Sequence, residues 1–129
     1  MQNKDEIGAT SDAPIYKIAT SAQWAVAVSN GVYDGSPDDM RDGFIHFSTR
    51  AQLRETARRH FMGKADLILI EISPASLGSA LKWEPSRRGD LFPHLYAPLP
   101  VAAACWVRNL PLDEDGCPDV DTALAGSEG

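Results

Sequence analysis

The chain has 129 residues, of which 43% are hydrophobic and 23% are charged. A chain of this length fits one hydrophobic core, and its hydrophobic fraction is that of a globular protein, so global disorder is excluded and a second domain is not expected. Twelve Lys and Arg residues stand against 18 Asp and Glu residues, which gives a formal net charge of -6.

The acidic residues are concentrated at the two ends of the chain. Residues 1–14 contain a surplus of acidic side chains, and residues 113–129 contain acidic side chains but no Lys or Arg. Segments of this composition are typically solvated. We therefore predict disordered tails over residues 1–14 and 113–129, and a single, slightly basic α+β domain over residues 15–112.

No stretch of the sequence approaches the roughly 20 apolar residues that a membrane span needs. The first residues have neither the basic flank nor the apolar core of a secretion signal. These features predict a cytoplasmic protein with no membrane partner. Cys105 and Cys117 form neither a disulfide framework nor a CxxC motif, so we expect both to be reduced thiols.

The folded part is predicted to begin with a strand and a helix. Residues 15–18 alternate aliphatic and polar side chains, as a short strand does. Thr20 is followed three residues later by Gln23, the capping-box pattern that opens a helix, and Gly31 favours the left-handed conformation that ends one. These signals predict a helix over residues 21–30.

A second strand and helix are predicted after a loop. Residues 34–39 are rich in Gly, Pro, Ser and Asp, which favour turns, so they predict the loop. Residues 44–49 predict a strand with two different faces, because side chains alternate along a strand. One face carries Ile45 and Phe47, and the other carries Phe44, His46 and Ser48. Thr49 with Gln52 repeats the capping box and predicts a helix to about Met62.

The second half of the chain is predicted to consist mostly of strands. Residues 67–72 form a continuous apolar run, which indicates a central strand covered on both faces. Residues 81–84 alternate again, several prolines then interrupt regular structure, and residues 101–107 predict a last strand. This order suggests a mixed sheet with the helices segregated in the first half, which is the α+β class.

His46 is the first candidate for chemistry. Its imidazole titrates near neutral pH, and Ser48 lies on the same predicted strand face. The pair suggests a nucleophile and its base, although side chains at this spacing run parallel and need not bond each other. The alternative is a structural histidine bonded to a backbone carbonyl. The predicted helix start after Thr49 adds backbone N–H groups that suit a phosphate or a carboxylate.

A second polar cluster follows the strand at residues 81–84. Glu84 could accept a proton, Ser86 adds a hydroxyl, and Arg87 could clamp a phosphate with its planar fork of donors. Because the body is slightly basic and Arg87 is expected near the helix start, we expect an electropositive pocket. The alternative is an exposed turn with a Glu–Arg pair worth less than about 1 kcal/mol.

His94 and Tyr96 add a second imidazole and a phenol. A metal site formed by His46, Glu84 and His94 is a further alternative. The histidines lack the HxH or HxxxH spacing of common metal ligands, so we predict no metal.

An arginine stripe marks the second helix. It consists of Arg50, Arg54 and Arg58, which recur every four residues. Such a stripe is more often a solvated face than a phosphate-binding one. No aromatic side chain is interleaved with it, which argues against nucleic acid as a partner.

Several segments together resemble a known bacterial family. They are Ile15–Ile18 with Trp24, Gly31–Ser36, Asp42–Thr49, Trp83–Arg87 and Phe92–Tyr96. In this order they resemble the bacterial domain-of-unknown-function family DUF952. The resemblance carries no established activity, but it implies a fold similar to that of the ADP-ribosyltransferases, which hold NAD across a split mixed sheet.

The fold resemblance also implies positions for a ligand site. In ADP-ribosyltransferases an early strand carries a His or Arg for NAD, a second strand carries an aromatic or Ser/Thr element, and a later strand supplies a glutamate. By resemblance, Tyr16 and Lys17 lie on the first element, and His46, Ser48 and Thr49 lie on the second. A lysine stands where that superfamily usually has a histidine, and the later strands offer no clear glutamate.

These observations predict an α+β fold with a split mixed β-sheet, similar to that of ADP-ribosyltransferases, and two main helices in the first half. We expect a cleft that binds a nucleotide-like or phosphorylated small ligand, therefore an anionic one. The resemblance implies NAD as a ligand, with transferase or hydrolase chemistry. The predicted catalytic residues are His46, Glu84 and His94. The predicted ligand-binding residues are Tyr16, Lys17, Ser48, Thr49, Ser86, Arg87 and Tyr96. The alternative is a non-catalytic ligand-binding or regulatory module on the same fold.

Overall fold

A computed structural model describes residues 13–86 and 89–126 of the chain. The N-terminal tail predicted over residues 1–14 lies outside the described residues except for its last two. Arg87 and Arg88 lie outside them as well.

Short strands alternate with helices along the described chain. The first half contains β1 (Ile15–Thr20), α1 (Ser21–Asn30), β2 (Val32–Tyr33), α2 (Pro37–Asp42), β3 (Ile45–His46), β4 (Ser48–Thr49) and α3 (Arg50–His60). The second half contains β5 (Leu67–Ile72), β6 (Leu81–Pro85), β7 (Leu91–Leu95), β8 (Leu99–Pro100), β9 (Ala104–Leu110) and α4 (Val120–Ala125). Short 3-10 segments precede β6 and β9, at Pro74–Ala80 and Val101–Ala103. The α+β class predicted from the sequence is confirmed.

The strands form three sheets. The largest has the order β4-β1-β5-β9, a second has the order β3-β7-β6, and β2 pairs with β8. Every pairing in the described residues is antiparallel. The predicted mixed sheet is therefore wrong. The alternation of strands and helices suggested parallel pairs, but α1 and α2 join strands of different sheets. α3 joins β4 and β5 of one sheet, and β1 lies between them and pairs antiparallel with both.

β5 is the central strand that the sequence predicted. It lies between β1 and β9, and its burial pattern shows five of its six residues buried. Its isoleucines pack in a cluster with residues of α1, β3 and β7, and its leucines pack with residues of α3 and α4. Both faces of the four-stranded sheet are thus covered, which explains why the run is continuously apolar.

The two predicted capping boxes are confirmed. Thr20 Oγ1 accepts from the backbone N–H of Gln23 at 3.0 Å, and Gln23 Oε1 accepts from the backbone N–H of Thr20 at 3.3 Å, so α1 begins at Ser21. Thr49 forms the equivalent box at α3, which ends at His60 rather than at about Met62. Among the described residues, no helix is long and apolar enough to cross a membrane.

The loop predicted over residues 34–39 contains the start of a helix instead. Ser36 accepts from the backbone N–H of Asp39 at 3.2 Å, and Asp39 accepts from that of Ser36 at 2.9 Å. Pro37 occupies the first turn, where its missing N–H costs nothing. The same Ser, Pro and Asp residues that favour turns therefore begin α2.

The strand predicted over residues 44–49 is divided between two sheets. β3 pairs with β7, whereas β4 pairs with β1. Phe47 lies between them, is buried, and donates its backbone N–H to the Pro93 carbonyl at 3.0 Å. His46 and Ser48 therefore belong to different sheets and are not neighbours on one strand face.

β6 confirms the strand predicted over residues 81–84. The prolines interrupt the following region less than expected, because Pro93 lies buried inside β7 and its carbonyl still accepts a hydrogen bond. The last strand predicted over residues 101–107 begins with a 3-10 turn and continues as β9 to Leu110.

The disordered C-terminal tail predicted from residue 113 is wrong over residues 113–126. Val120 and Ala123 of α4 are buried in the same cluster as Leu53 and Ala57 of α3. The two apolar residues are spaced three apart, which places them on one helix face within an otherwise acidic segment. Composition alone obscured this short amphipathic pattern. Residues 127–129 lie outside the described residues.

Candidate functional site

A cleft of about 500 Å³ lies where the four-stranded and three-stranded sheets meet α2 and α3. This volume is in the range of pockets that hold small molecules. The predicted site residues that line it are Tyr16, Lys17, His46, Ser48, Ser86 and His94. The other described candidates, Thr49, Glu84 and Tyr96, are outside its lining. Glu84 is bonded to the lining residue His94, and Tyr96 is bonded to Glu84, as shown below.

Asp39, on α2, is the polar centre of one side of the cleft. Its side chain is 2% exposed. One carboxylate oxygen accepts from Lys17 Nζ at 2.7 Å and from the backbone N–H of Ser36 at 2.9 Å. The other accepts from the backbone N–H of His46 at 3.2 Å and lies 2.6 Å from Nδ1 of the same residue. Asp39 thereby ties α2 to β1 and β3.

The pKa values of this cluster follow from its burial and its charges. Burial alone would raise the pKa of the Asp39 carboxyl, but His46 and Lys17 outweigh that effect and hold its pKa well below the ordinary value. Burial lowers the pKa of the Lys17 ammonium, and the charge of Asp39 opposes that fall. Removing one partner of such a buried pair leaves an uncompensated charge. Lys17 and Asp39 therefore serve as structural partners of each other.

Both ring nitrogens of His46 face carboxylates. Nδ1 lies 2.6 Å from Asp39 Oδ1, and Nε2 lies 3.1 Å from Asp42 Oδ2. The contact at Nδ1 is a hydrogen bond, and Nε2 lies within ion-pair distance of Asp42. With a carboxylate beside each ring nitrogen, this arrangement suits a fixed hydrogen-bond donor better than a base for a substrate proton.

His94 bonds a carboxylate on one side only. Its Nδ1 lies 2.8 Å from Glu84 Oε1, and Tyr96 donates its hydroxyl to the same oxygen at 2.7 Å. The bonds from His94 and Tyr96 lower the pKa of Glu84, and that carboxylate raises the pKa of the Tyr96 phenol. Within the described part of the chain, Nε2 of His94 has no hydrogen-bond partner. A neutral ring that donates from Nδ1 carries its lone pair on Nε2.

Phe44 stands among the polar rings of the site. It stacks on His94 with ring centroids 4.1 Å apart and an interplanar angle of 25°. Its centroid also lies 4.6 Å from that of His46 and 5.2 Å from that of Tyr96. The two histidines are register partners on β3 and β7, with centroids 5.5 Å apart. Phe44 therefore contacts both imidazoles.

Three other predicted ligand-binding residues are bonded to neighbours. Tyr16 donates its hydroxyl to Glu71 at 3.0 Å, and burial raises the pKa of its phenol. Ser48 Oγ lies 2.9 Å from Thr56 Oγ1. Thr49 caps α3 through its side chain. Tyr16 and Ser48 form part of the cleft wall. The Ser48–Thr56 contact and the Thr49 cap hold α3 against β4.

The described lining of the cleft is not electropositive, contrary to our expectation. It contains five carboxylates and three cations, Lys17, Arg41 and Arg59. Each cation is paired with a carboxylate of the same lining. The predicted surplus of positive charge lies partly on the arginine stripe of α3, where Arg54 bonds both carboxylate oxygens of Asp121 at 2.8 and 2.9 Å. That stripe therefore faces α4 and solvent.

The turn after β6 borders the cleft through Ser86 and Asp90. The backbone N–H of Ser86 donates to the Asp90 carbonyl at 2.9 Å. Arg87, the predicted anion clamp, lies outside the described residues, so its role stays a prediction. Among the described residues, no group of three or more His, Cys, Asp or Glu side chains could hold a metal ion.

Asp39 and Asp42 are residues of this region that sequence reasoning did not identify. Phe44 was placed on the His46 face of the predicted strand but was given no role. Ser36 followed three residues later by Asp39, with Pro37 between them, is a helix-start signal that would have placed the two aspartates on α2. No local signal indicated that Asp39 would meet Lys17.

Comparisons with known proteins give a family but no activity. A family model described as "Protein of unknown function (DUF952)" matches residues 18–107. The crystal structure of protein CC0527 from Caulobacter crescentus is 45% identical, with a TM-score of 0.85 and coverage of 88% of this chain and 99% of that chain. The solution NMR structure of CC0527 is 45% identical, with a TM-score of 0.78 and coverage of 88% and 98%. No curated protein matches the sequence. None of these names mentions an ADP-ribosyltransferase, so that fold resemblance stays a prediction.

Proposed function

The chain belongs to the DUF952 family, and we propose that its cleft binds a small molecule on which His94 acts as general base and then as general acid. The observation that carries the proposal is the 2.8 Å bond between His94 Nδ1 and Glu84 in a ring that lines the cleft. A carboxylate that orients one ring nitrogen leaves the other nitrogen ready to accept a proton.

Hydrolysis is the reaction class that this arrangement supports best. Nε2 of neutral His94 takes a proton from a water molecule while the water oxygen forms a bond to an electrophilic carbon or phosphorus of the ligand. The bond to the leaving group breaks, and the imidazolium returns the proton to that group. Glu84 stays ionised throughout and stabilises the imidazolium. Proton transfer by a positioned side chain contributes about 10²- to 10⁴-fold to a rate.

The other predicted residues take supporting roles in this proposal. His46 is a fixed donor rather than a base, because Asp39 and Asp42 face both of its nitrogens. Tyr16, Ser48 and Ser86 are proposed contacts at the cleft wall.

A nucleotide-like, anionic ligand is the class that the sequence predicted. In the described lining each Lys and Arg is already paired, so a phosphate would depend on Arg87 for its charge partner. An uncharged ester needs no such partner. NAD belongs to the classes to be tested because of the fold resemblance. The experiment therefore compares anionic and uncharged ligands.

The test is a thermal-shift screen followed by product analysis, because a ligand that binds only the folded state raises its melting temperature. The panel is NAD, ADP-ribose, nucleoside phosphates, sugar phosphates and p-nitrophenyl acetate. We expect one class to be bound and hydrolysed. His94→Asn and Glu84→Gln should each slow hydrolysis by about 100-fold or more while the thermal shift remains.

Glu114→Gln is the matched control for these variants, because it makes the same change of carboxylate to amide. Glu114 is exposed, lies between β9 and α4, and is outside the lining of the cleft. Hydrolysis by this variant should match that of the unaltered protein. If His94→Asn hydrolyses the ligand at the unaltered rate, His94 is not the base.

The second candidate function is a non-catalytic ligand-binding or regulatory module. It is favoured by the bonds that Lys17, Tyr16 and Ser48 make to neighbouring side chains, which leave few cleft groups for chemistry. A ligand of the panel that raises the melting temperature and is recovered unchanged would support this function over hydrolysis.

A further inference from the structure

We propose that Tyr96 and Phe44 are positioning residues, which fix the ring of His94 so that Nδ1 is held by Glu84 and Nε2 stays free. The inference rests on the proposed role of His94 and adds the two residues on which its geometry depends. Neither residue is proposed to touch the ligand.

Tyr96 acts on Glu84. The Glu84 side chain is 36% exposed, so without further contacts it could rotate into water. Tyr96 donates to the same Oε1 that faces His94, and two bonds to one oxygen restrict the carboxylate to one orientation. The backbone of Tyr96 is itself held, because its N–H donates to the Ala80 carbonyl at 2.9 Å. Tyr96 directly follows β7, and this bond joins its backbone to the end of the 3-10 segment that precedes β6.

Phe44 acts on the ring plane of His94. With centroids 4.1 Å apart and planes at 25°, the phenyl ring covers one face of the imidazole and opposes its rotation. Phe44 follows Gly43, whose φ of 89° ends α2, and its N–H lies 3.3 Å from the Asp39 carbonyl. The position of Phe44 thus depends on α2, and α2 is held by the buried carboxylate of Asp39.

The tautomer of His94 reports this positioning directly. When Glu84 accepts from Nδ1, the neutral ring carries its proton on Nδ1 and its lone pair on Nε2. If the carboxylate moves away, the proton is free to reside on either nitrogen. Long-range ¹H–¹⁵N NMR spectra distinguish the two tautomers in the protein without any ligand.

The experiment compares the unaltered protein with Tyr96→Phe, at a pH where His94 is neutral. We expect the unaltered ring to be protonated mainly at Nδ1. Tyr96→Phe should lower that fraction by about two-fold or more, because Glu84 loses its second contact. Tyr33→Phe is the matched control, since it removes a buried hydroxyl that has no partner in the described residues and should leave the His94 spectrum unchanged. An unchanged tautomer in Tyr96→Phe overturns the role of Tyr96.

The role of Phe44 is tested by the width of the His94 imidazole signals in NMR spectra. Phe44→Leu removes the flat ring that covers His94, so the imidazole signals of His94 should broaden as the ring samples other orientations. Phe44→Met is the second variant in case Phe44→Leu fails to fold, because it keeps more of the side-chain length. Sharp, unshifted His94 signals in a folded Phe44 variant overturn the role of Phe44.

The outcome separates this inference from the proposed function. Hydrolysis that requires His94, together with an unchanged tautomer in Tyr96→Phe, refutes the positioning role and leaves the function standing. A shifted tautomer in Tyr96→Phe, in a protein that hydrolyses no member of the panel, supports the positioning role and refutes the function.

Discussion

His46 and His94 lie opposite each other on neighbouring antiparallel strands, yet the protein surrounds them differently. His46 faces a carboxylate at each ring nitrogen, and one of those carboxylates is buried against Lys17. His94 faces a carboxylate at one nitrogen, and that carboxylate is partly exposed. The chemistry open to a histidine therefore depends on how many of its nitrogens the fold has already occupied.

The two regions also differ in what they do for stability. Asp39 ties a helix to two sheets through hydrogen bonds of a buried carboxylate. Because the site is buried, water cannot readily replace these bonds when Asp39 is removed. The Glu84 pair lies near solvent, where water substitutes for a missing partner. The variants below test whether one histidine is structural and the other functional.

Asp39→Ala should have the largest effect. It leaves Lys17 as an unpaired ammonium that is 6% exposed, and breaking a buried ion pair from one side costs about 3 to 5 kcal/mol. Urea unfolding measures the loss. Asp38→Ala is the control, because its side chain is 75% exposed on the same helix and such substitutions cost less than about 0.5 kcal/mol. Equal losses in the two variants would contradict the structural role of Asp39.

The pH dependence of the free energy of unfolding should also reveal the contribution of Asp39. Because the pKa of Asp39 is lowered in the folded state, its contribution is present above the unfolded pKa of about 3.9 and is lost as the pH falls towards the folded value. The free energy of unfolding should therefore fall as the pH drops below about 4. In Asp39→Asn this part of the fall should be smaller. Parallel curves for the two proteins would show that other carboxylates cause it.

Glu84→Gln should change stability little and chemistry strongly. The carboxylate is near solvent and the amide has a similar shape, so we expect the unfolding midpoint to stay close to that of the unaltered protein. Hydrolysis of a bound ligand should still fall, because the amide cannot stabilise an imidazolium as an anion does. Urea unfolding and a rate assay on the same sample measure both. A large loss of stability in Glu84→Gln would indicate that the Glu84–His94 pair has a structural role, as the Asp39–His46 pair does.

Tyr33→Phe should have the smallest effect and serves to calibrate the others. Its hydroxyl is buried and has no hydrogen-bond partner among the described residues. Removing a buried polar atom without a partner is close to neutral or slightly stabilising, so the free energy of unfolding should change by less than about 0.5 kcal/mol or rise. A clear loss in urea unfolding would indicate an ordered water bound to this hydroxyl.

Much of the fold follows from short-range signals. Thr20 with Gln23 and Thr49 with Gln52 each set a helix start, because the capping bonds join residues three apart. The apolar run of residues 67–72 identified the central strand, because a strand covered on both faces needs apolar side chains at every position. The C-terminal helix was missed because its two buried residues are small and the surrounding charge dominated the composition.

The sequence also named both histidines, Glu84 and Tyr96 as site residues, since side chains of these types are polar and titratable wherever they occur. Only the tertiary structure assigned them partners. The chain crosses between sheets at Phe47, which separates His46 from Ser48, and α2 brings Asp39 to Lys17 across 22 positions. Caps and alternation act over two to four residues and can be read locally. Hydrogen bonds between distant residues depend on how the sheets are placed, and that placement decided which imidazole faces two carboxylates and which faces one.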